Sequence, residues 1–166
     1  MSADAPQNIT ALLPHRVSEA KSLLDTAFAP SSFESALVQK LLLRTDSHLW
    51  ILEETSRLVG VVAYSPAYRN GVAIGYHLAP IAVHPTQQRL GFGSKLIHET
   101  LAMPPIDASP VFVLGDPSYY ERFGFGSAQD VQCPYDPTGE HFRALRWPSG
   151  KESFVIGYPS EFTMCE

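Results

Sequence analysis

The segment Ile74–Leu114 constrains the fold more than any other part of the chain. A long apolar run ends at His84-Pro85, a polar turn follows, and Gly91 and Gly93 open a helical stretch that carries Leu96, Ile97 and Leu101. Pro104-Pro105 stops that helix, and a second, compact apolar run follows at Val111–Leu114. Two strands joined through a helix point to a parallel pair with a right-handed crossover. The pattern therefore predicts a mixed sheet with a helix on at least one face.

The flanking segments extend this frame. Ile9–Leu13 predicts a short strand, and Val17, Ala20, Leu24 and Phe28 recur at helical spacing until Pro30. Ser31 and Glu34 have the spacing of a capping box, and a second amphipathic helix is expected from there to Arg44. Leu49–Leu52 and Leu58–Tyr64 are rich in β-formers around the polar stretch Glu53–Arg57, a hairpin signal. Residues 65–73 and 104–110, marked by Pro and Ser, read as loops beside a cleft. Ser118–Phe123 predicts a short helix halted by Gly124. Phe142–Trp147 and Ser153–Tyr158 predict two last strands around a Pro148-Ser149-Gly150 turn. The fold class is α/β (α+β), and the 166 residues suit a single domain, 1–166, with a flexible tail at 1–7.

Charge and motif content exclude several functions. A net charge of −5 and the lack of any Lys/Arg run argue against nucleic acid as a partner. No apolar stretch is long enough to cross a bilayer. The start lacks a basic region followed by an apolar one, so a cytoplasmic location is expected. Cys133 and Cys165 leave either one bridge or two free thiols, the latter expected in a reducing compartment. Among the six histidines, His98-Glu99-Thr100-Leu101-Ala102 breaks the zinc-protease pattern at its last residue, and no metal is expected. No serine lies in a G-x-S-x-G elbow. Leu96 stands where a dinucleotide fingerprint needs its third glycine.

What remains is residues 81–94, Ile-Ala-Val-His-Pro-Thr-Gln-Gln-Arg-Leu-Gly-Phe-Gly-Ser. A strand end, a polar turn and glycines at a helix start form an anion site, because unpaired N–H groups point outward there. A diphosphate is the natural occupant, and Arg89 can add a charge-assisted contact.

These residues resemble a known family. Gln88-Arg89-Leu90-Gly91-Phe92-Gly93 matches the Q/R-x-x-G-x-G/A signature of the GNAT (Gcn5-related) N-acetyltransferase superfamily. Ile81-Ala82-Val83-His84-Pro85 resembles the end of that family's fourth strand. Tyr120-Glu121-Arg122-Phe123-Gly124-Phe125 resembles its Y-x-x-x-G-F element, and Leu114–Tyr120 is similar to the YhbS-like subgroup. The resemblance implies a GNAT-like, mostly antiparallel central sheet of about six or seven strands, its fourth and fifth strands splayed around coenzyme A. It also implies acetyl-CoA as cosubstrate, an amine acceptor, and, by analogy, a homodimer.

By the same resemblance, the backbones of Ile81 and Val83, with Ala82 between them, would hold the pantetheine arm. Arg89, Leu90, Gly91, Phe92, Gly93 and Ser94 would cradle the pyrophosphate, with Gln88 at the head of the loop. The Val83 N–H would serve the thioester oxyanion and Tyr120 would be the general acid, since a phenol of pKa about 10 can donate to a departing thiolate. Tyr119 reads as a packing residue. A base for the amine is open among His77, Glu53, Glu54 and Asp116. Three rival readings stand beside amine acetylation of a small molecule: a non-catalytic acyl-CoA sensor, transfer of a longer acyl group or to a hydroxyl, and a protein amine as acceptor.

Overall fold

The computed structural model describes residues 7–165, so the tail expected at 1–7 lies outside the described residues except for Gln7, which opens the first strand. The elements in order are β1 (Gln7–Ala11), α1 (Val17–Ala27), α2 (Phe33–Leu41), β2 (His48–Glu54), β3 (Arg57–Arg69) and β4 (Val72–Val83). They continue with α3 (Phe92–Leu101), β5 (Val111–Leu114), α4 (Pro117–Glu121), β6 (Val131–Gln132), β7 (Phe142–Leu145), β8 (Phe154–Val155) and α5 (Glu161–Met164). The main sheet has the order β1-β2-β3-β4-β5-β7. Every neighbouring pair in it is antiparallel except β4 and β5, which run parallel as the strand–helix–strand pattern predicts.

The near-continuous apolar run of β3 follows from burial on both faces. Val61 and Ala63 pack against Leu24, Leu37 and Leu41 of α1 and α2. Val62 and Tyr64 point the other way, onto Leu96 and Ile97 of α3. Tyr64 Oη lies 2.8 Å from Thr100 Oγ1, which itself donates to the Leu96 carbonyl, so the tyrosine is the donor that ties α3 to the sheet. Among the described residues no helix is long and apolar enough to cross a membrane.

Four expectations change. The hairpin turn is shorter than the polar stretch suggested: Glu53 and Glu54 stay in β2, and Thr55-Ser56, both at positive φ, make the turn. Helix α2 ends at Leu41, where the last turn tightens and Arg44 swings out to pair with Asp46 and Glu161. The loop expected at 65–73 is mostly strand, because β3 continues past the end of β2 to Arg69 and turns at Asn70-Gly71. Pro66 is tolerated there since β2 pairing ends at Tyr64 and the next backbone partner on that side, Gly157, meets Tyr68, so no ladder bond is asked of the Pro66 nitrogen. The two C-terminal strands do not form a hairpin. Instead β7 pairs with β5, and β8 runs parallel to β6 in a separate small sheet.

The sheet opens in the middle. Strands β4 and β5 share only two registers, Tyr76↔Val111 and His77↔Phe112, and diverge beyond them. Immediately after His77, β4 carries an irregularity: Val62 faces Ile81 and Tyr64 faces Leu78, leaving Ala79 and Pro80 opposite Ala63 alone. An extra residue bends a strand, and Pro80 has no N–H to offer a neighbour, so the sequence builds the divergence locally.

Candidate functional site

Two cavities occupy the divergence, and they meet at Ile81. The first, about 420 Å³, lies along the loop between β4 and α3 and is lined by Ile81, Val83, Gln88, Arg89, Gly91 and Gly93, with Tyr119 and Arg122 across from them. Gly91 takes φ +87° as the residue before α3, a left-handed conformation that glycine adopts without penalty, and no side chain caps the helix. The first intrahelical bond runs from Lys95 N to Gly91 O. The N–H groups of Phe92, Gly93 and Ser94 therefore precede the helical ladder and remain available to an anion. Gln88 Nε2 donates to the Val83 carbonyl at 3.1 Å and so pins the loop to the strand end.

Backbone direction follows from the pairing. His84 N donates to Val59 O on β3, and strand groups alternate sides, so Ala82 also faces β3 while Ile81 and Val83 turn their N–H and C=O groups to the gap. Of the residues read from the sequence, Ile81, Val83, Gln88, Arg89, Gly91, Gly93 and Ser94 line this cavity. Ala82 and Phe92 have their side chains in the core, and the Leu90 side chain is exposed. Three lining residues were missed, Gln87 just ahead of the loop signature and two on the opposite wall. Tyr119, read as packing, brings its hydroxyl to 3.2 Å from where a Gly93 Cβ would stand, and Arg122 lies over the Tyr119 ring at 4.6 Å. Their signal was the position of α4 directly after the strand partner of β4. With Arg89 and Arg122 and no carboxylate among its lining residues, this cavity is cationic in an acidic protein.

The second cavity, about 460 Å³, continues from Ile81 past Tyr120 toward α1, α2 and the C-terminal helix. Its lining is apolar and aromatic, including Phe28, Phe33, Leu78, Tyr135, Tyr158 and Phe162. Tyr120 is 8% exposed, and burial, with Tyr119 adjacent, pushes its phenol up to about 12. Its ring lies against the backbone of Gly115: a Cβ there would stand 2.6 Å from Tyr120 Cε2. Asp116 fixes the start of α4 by accepting from Ser118 N at 3.0 Å and Ser118 Oγ at 2.8 Å. Gly115 and Asp116 together set where the phenol points.

The candidate bases separate. Glu53 pairs with Arg16 just ahead of α1 and lines neither cavity, Glu54 ends β2, and Asp116 is spent on the α4 cap. Only His77 of that set lines the cavity. Its Nε2 is 2.9 Å from the Gly157 carbonyl, so Nε2 carries the hydrogen, and its ring stacks on Tyr158 at 3.7 Å. Desolvation lowers its pKa to about 4, so it is a neutral acceptor and a weak base at neutral pH. Glu34, read only as a capping residue, also lines the cavity; it accepts from Ser31 Oγ at 2.8 Å, and Ser31 Oγ accepts from Phe33 N. The loop at 104–110, expected beside a cleft, lines neither cavity: Ile106 is in the core and Arg146 holds the Ile106 and Ser109 carbonyls. Cys133 and Cys165 are free thiols. Among the described residues no His, Cys, Asp and Glu cluster is arranged to hold a metal.

A mixed sheet that splays at its parallel pair, with an uncapped glycine-started helix at the opening, is the architecture of the GNAT N-acetyltransferases, and the chain belongs to that family. Residues 45–126 match the acetyltransferase (GNAT) domain. The uncharacterized N-acetyltransferase YhbS of Escherichia coli K12 is 30% identical over 135 residues, spanning 75% of this chain and 74% of that protein. The solved structure of the Escherichia coli GNAT family protein YhbS in complex with CoA superimposes with a TM-score of 0.86 over 98% of this chain and 95% of that one, at 24% identity. A GNAT family acetyltransferase from Brucella melitensis, solved in complex with acetyl-CoA, gives 0.78 over 95% and 99% at 27% identity.

Proposed function

We propose that the protein transfers the acetyl group of acetyl-CoA directly to a primary amine of a small molecule. The observation that carries this reading is the junction at Ile81: a cationic cavity with free helix N–H groups on one side, and a buried, protonated phenol in an apolar cavity on the other. A pyrophosphate suits the first, with Phe92, Gly93 and Ser94 offering backbone N–H groups and Arg89 and Arg122 offering charge. A pantetheine arm laid along β4 would meet the N–H and C=O groups of Ile81 and Val83. A thioester would then lie near the junction, with the Val83 N–H as the proposed donor for its oxygen, two residues along β4 from Ile81.

The chemistry then needs few side chains. The amine nitrogen lone pair attacks the thioester carbonyl, a C–N bond forms, and the tetrahedral oxyanion is held by the backbone donor. Collapse breaks the C–S bond, and Tyr120 gives its proton to the departing sulfur while the new amide nitrogen loses one to water, from which the phenolate regains a proton. A phenol held near 12 stays protonated throughout the physiological range, so it is always ready to donate. His77 cannot hold the ammonium proton at neutral pH, so the amine enters the reaction neutral or loses its proton to solvent. A sensor that only binds acyl-CoA has no use for a phenol in the wall of this cavity.

The test is calorimetric titration of acetyl-CoA, followed by thiol release with a panel of amines. Micromolar binding together with amine-dependent thiol release is the expected result. Binding without release to any amine would leave a sensor as the correct reading.

A further inference from the structure

The chemistry of the second cavity narrows the acceptor, an inference that rests on the amine-acetyltransferase reading above. Among the described residues lining it, Glu34 is the only one that carries a formal charge, since His77 is held neutral. No Lys or Arg faces the cavity, so nothing there pairs with a carboxylate or phosphate on the acceptor. Apart from Glu34 and His77 the walls are aliphatic and aromatic, with Phe28 and Phe33 at the end of α1 and the start of α2, and Tyr158 and Phe162 from the C-terminal segment. At about 460 Å³ the space is in the lower half of the range for small-molecule pockets, roughly 300–1,000 Å³. It must also admit the acetyl end of the donor.

One oxygen of Glu34 accepts from Ser31 Oγ; the other has no protein partner among the described residues. A half-buried carboxylate with a free oxygen, set in a wall of rings, attracts an ammonium through charge and through the faces of those rings. It also repels any acceptor that brings an acid group of its own.

We infer that the acceptor is a hydrophobic, aromatic-bodied primary amine bearing no carboxylate or phosphate, received through its ammonium by Glu34. The apolar body displaces water from the walls, and binding at the Glu34 carboxylate captures the charged form that dominates in solution before the proton leaves.

The experiment compares thiol release with 2-phenylethylamine, with phenylalanine, which adds a carboxylate to the same frame, and with an alanine-initiated peptide. It uses the wild type and Glu34→Gln, whose amide oxygen can still accept from Ser31 and so preserves the start of α2. The expected result is turnover of 2-phenylethylamine at a kcat/KM at least about a hundredfold above that of phenylalanine. Glu34→Gln should raise KM for 2-phenylethylamine by about tenfold or more and shrink the discrimination against phenylalanine. Unchanged acetyl-CoA affinity in Glu34→Gln shows that the variant is folded. Equal or better turnover of phenylalanine or the peptide, or a Glu34→Gln enzyme with unaltered KM, overturns the inference and leaves amine acetylation standing. Acetyl-CoA binding with no turnover of any amine overturns the underlying reading and the inference together.

Discussion

The two cavities that meet at Ile81 are built on opposite plans. The loop cavity comes almost entirely from one continuous stretch, residues 81–94, with Tyr119 and Arg122 added from α4. Its working groups are backbone N–H groups, presented because a helix starts there without a cap. The apolar cavity draws on α1, α2, β4, β5, α4 and the C-terminal segment, residues that lie more than a hundred positions apart, and it works through side chains. A site made of backbone and glycine leaves a local imprint on sequence. A site made by bringing distant side chains together leaves none. The same contrast separates the roles: the local plan suits a ligand common to many enzymes, and the dispersed plan suits one that differs between them.

The strongest test of the loop plan is Gly91→Glu. No atom lies within 4 Å of an added Cβ at Gly91, so steric conflict with the protein is not the cause of the expected loss. Instead the left-handed φ of +87° costs a non-glycine residue about 1–2 kcal/mol, and a carboxylate is placed where an anion should sit. Acetyl-CoA affinity should fall by more than about a hundredfold by calorimetry. Gly91→Asn, which tolerates this φ and adds no charge, should lose far less. Equal loss in both would mean that the loop conformation, not its electrostatics, governs binding.

Tyr120→Phe makes the converse cut. It leaves the loop cavity untouched and removes one hydroxyl from the other. Turnover should drop by about a hundredfold, in line with general-acid contributions, with the acetyl-CoA dissociation constant within about twofold of wild type. Parallel loss of both would remove Tyr120 from the chemistry and merge the two cavities into one binding unit.

The contrast also explains what could be read from the chain. The strand–glycine–helix–strand order, the parallel pair and the loop residues were legible, because periodicity and glycine placement are local signals. The divergence of β4 and β5 came only with the resemblance, although its local cause, Ala79-Pro80, stands in the sequence. Arg122 was not legible as part of the loop cavity, since its place depends on how α4 packs across β4. Glu34 was visible as a capping residue, yet α2 starts after Ser32 with no side-chain cap bond and Glu34 accepts only from the Ser31 hydroxyl; its place at the cavity wall depends on the approach of α2 to the C-terminal helix, which no short-range pattern reports. The extension of β3 through Pro66 was hidden for the same reason: a proline in a strand is excluded or allowed according to whether its neighbour strand has already ended.

Gly115 is where the two plans touch through geometry rather than charge. An added methyl would lie 2.6 Å from the Tyr120 ring, so Gly115→Ala must move the phenol by several tenths of an ångström or shift the chain at the end of β5. Misplacing a donor is less severe than deleting it. Gly115→Ala should lower kcat by about tenfold, with acetyl-CoA affinity near wild type. A loss as large as that of Tyr120→Phe would show that the phenol tolerates no displacement; no loss at all would show that the ring finds its position without the glycine.

The smallest expected effect belongs to Arg122. Its guanidinium is exposed, faces the loop cavity and rests on the Tyr119 ring, so it adds charge at long range without a fixed carboxylate partner. Exposed charges are screened by salt and by solvent, and backbone N–H groups at the helix start remain when it is removed. Arg122→Ala should weaken acetyl-CoA binding only a few-fold at low salt, and the difference from wild type should shrink as ionic strength rises. A large, salt-independent loss would mean that Arg122 makes a direct, desolvated contact, and the loop cavity would then depend on a distant side chain as much as the apolar one does. That result would weaken the distinction between a local and a dispersed plan at the very residue the sequence reading overlooked.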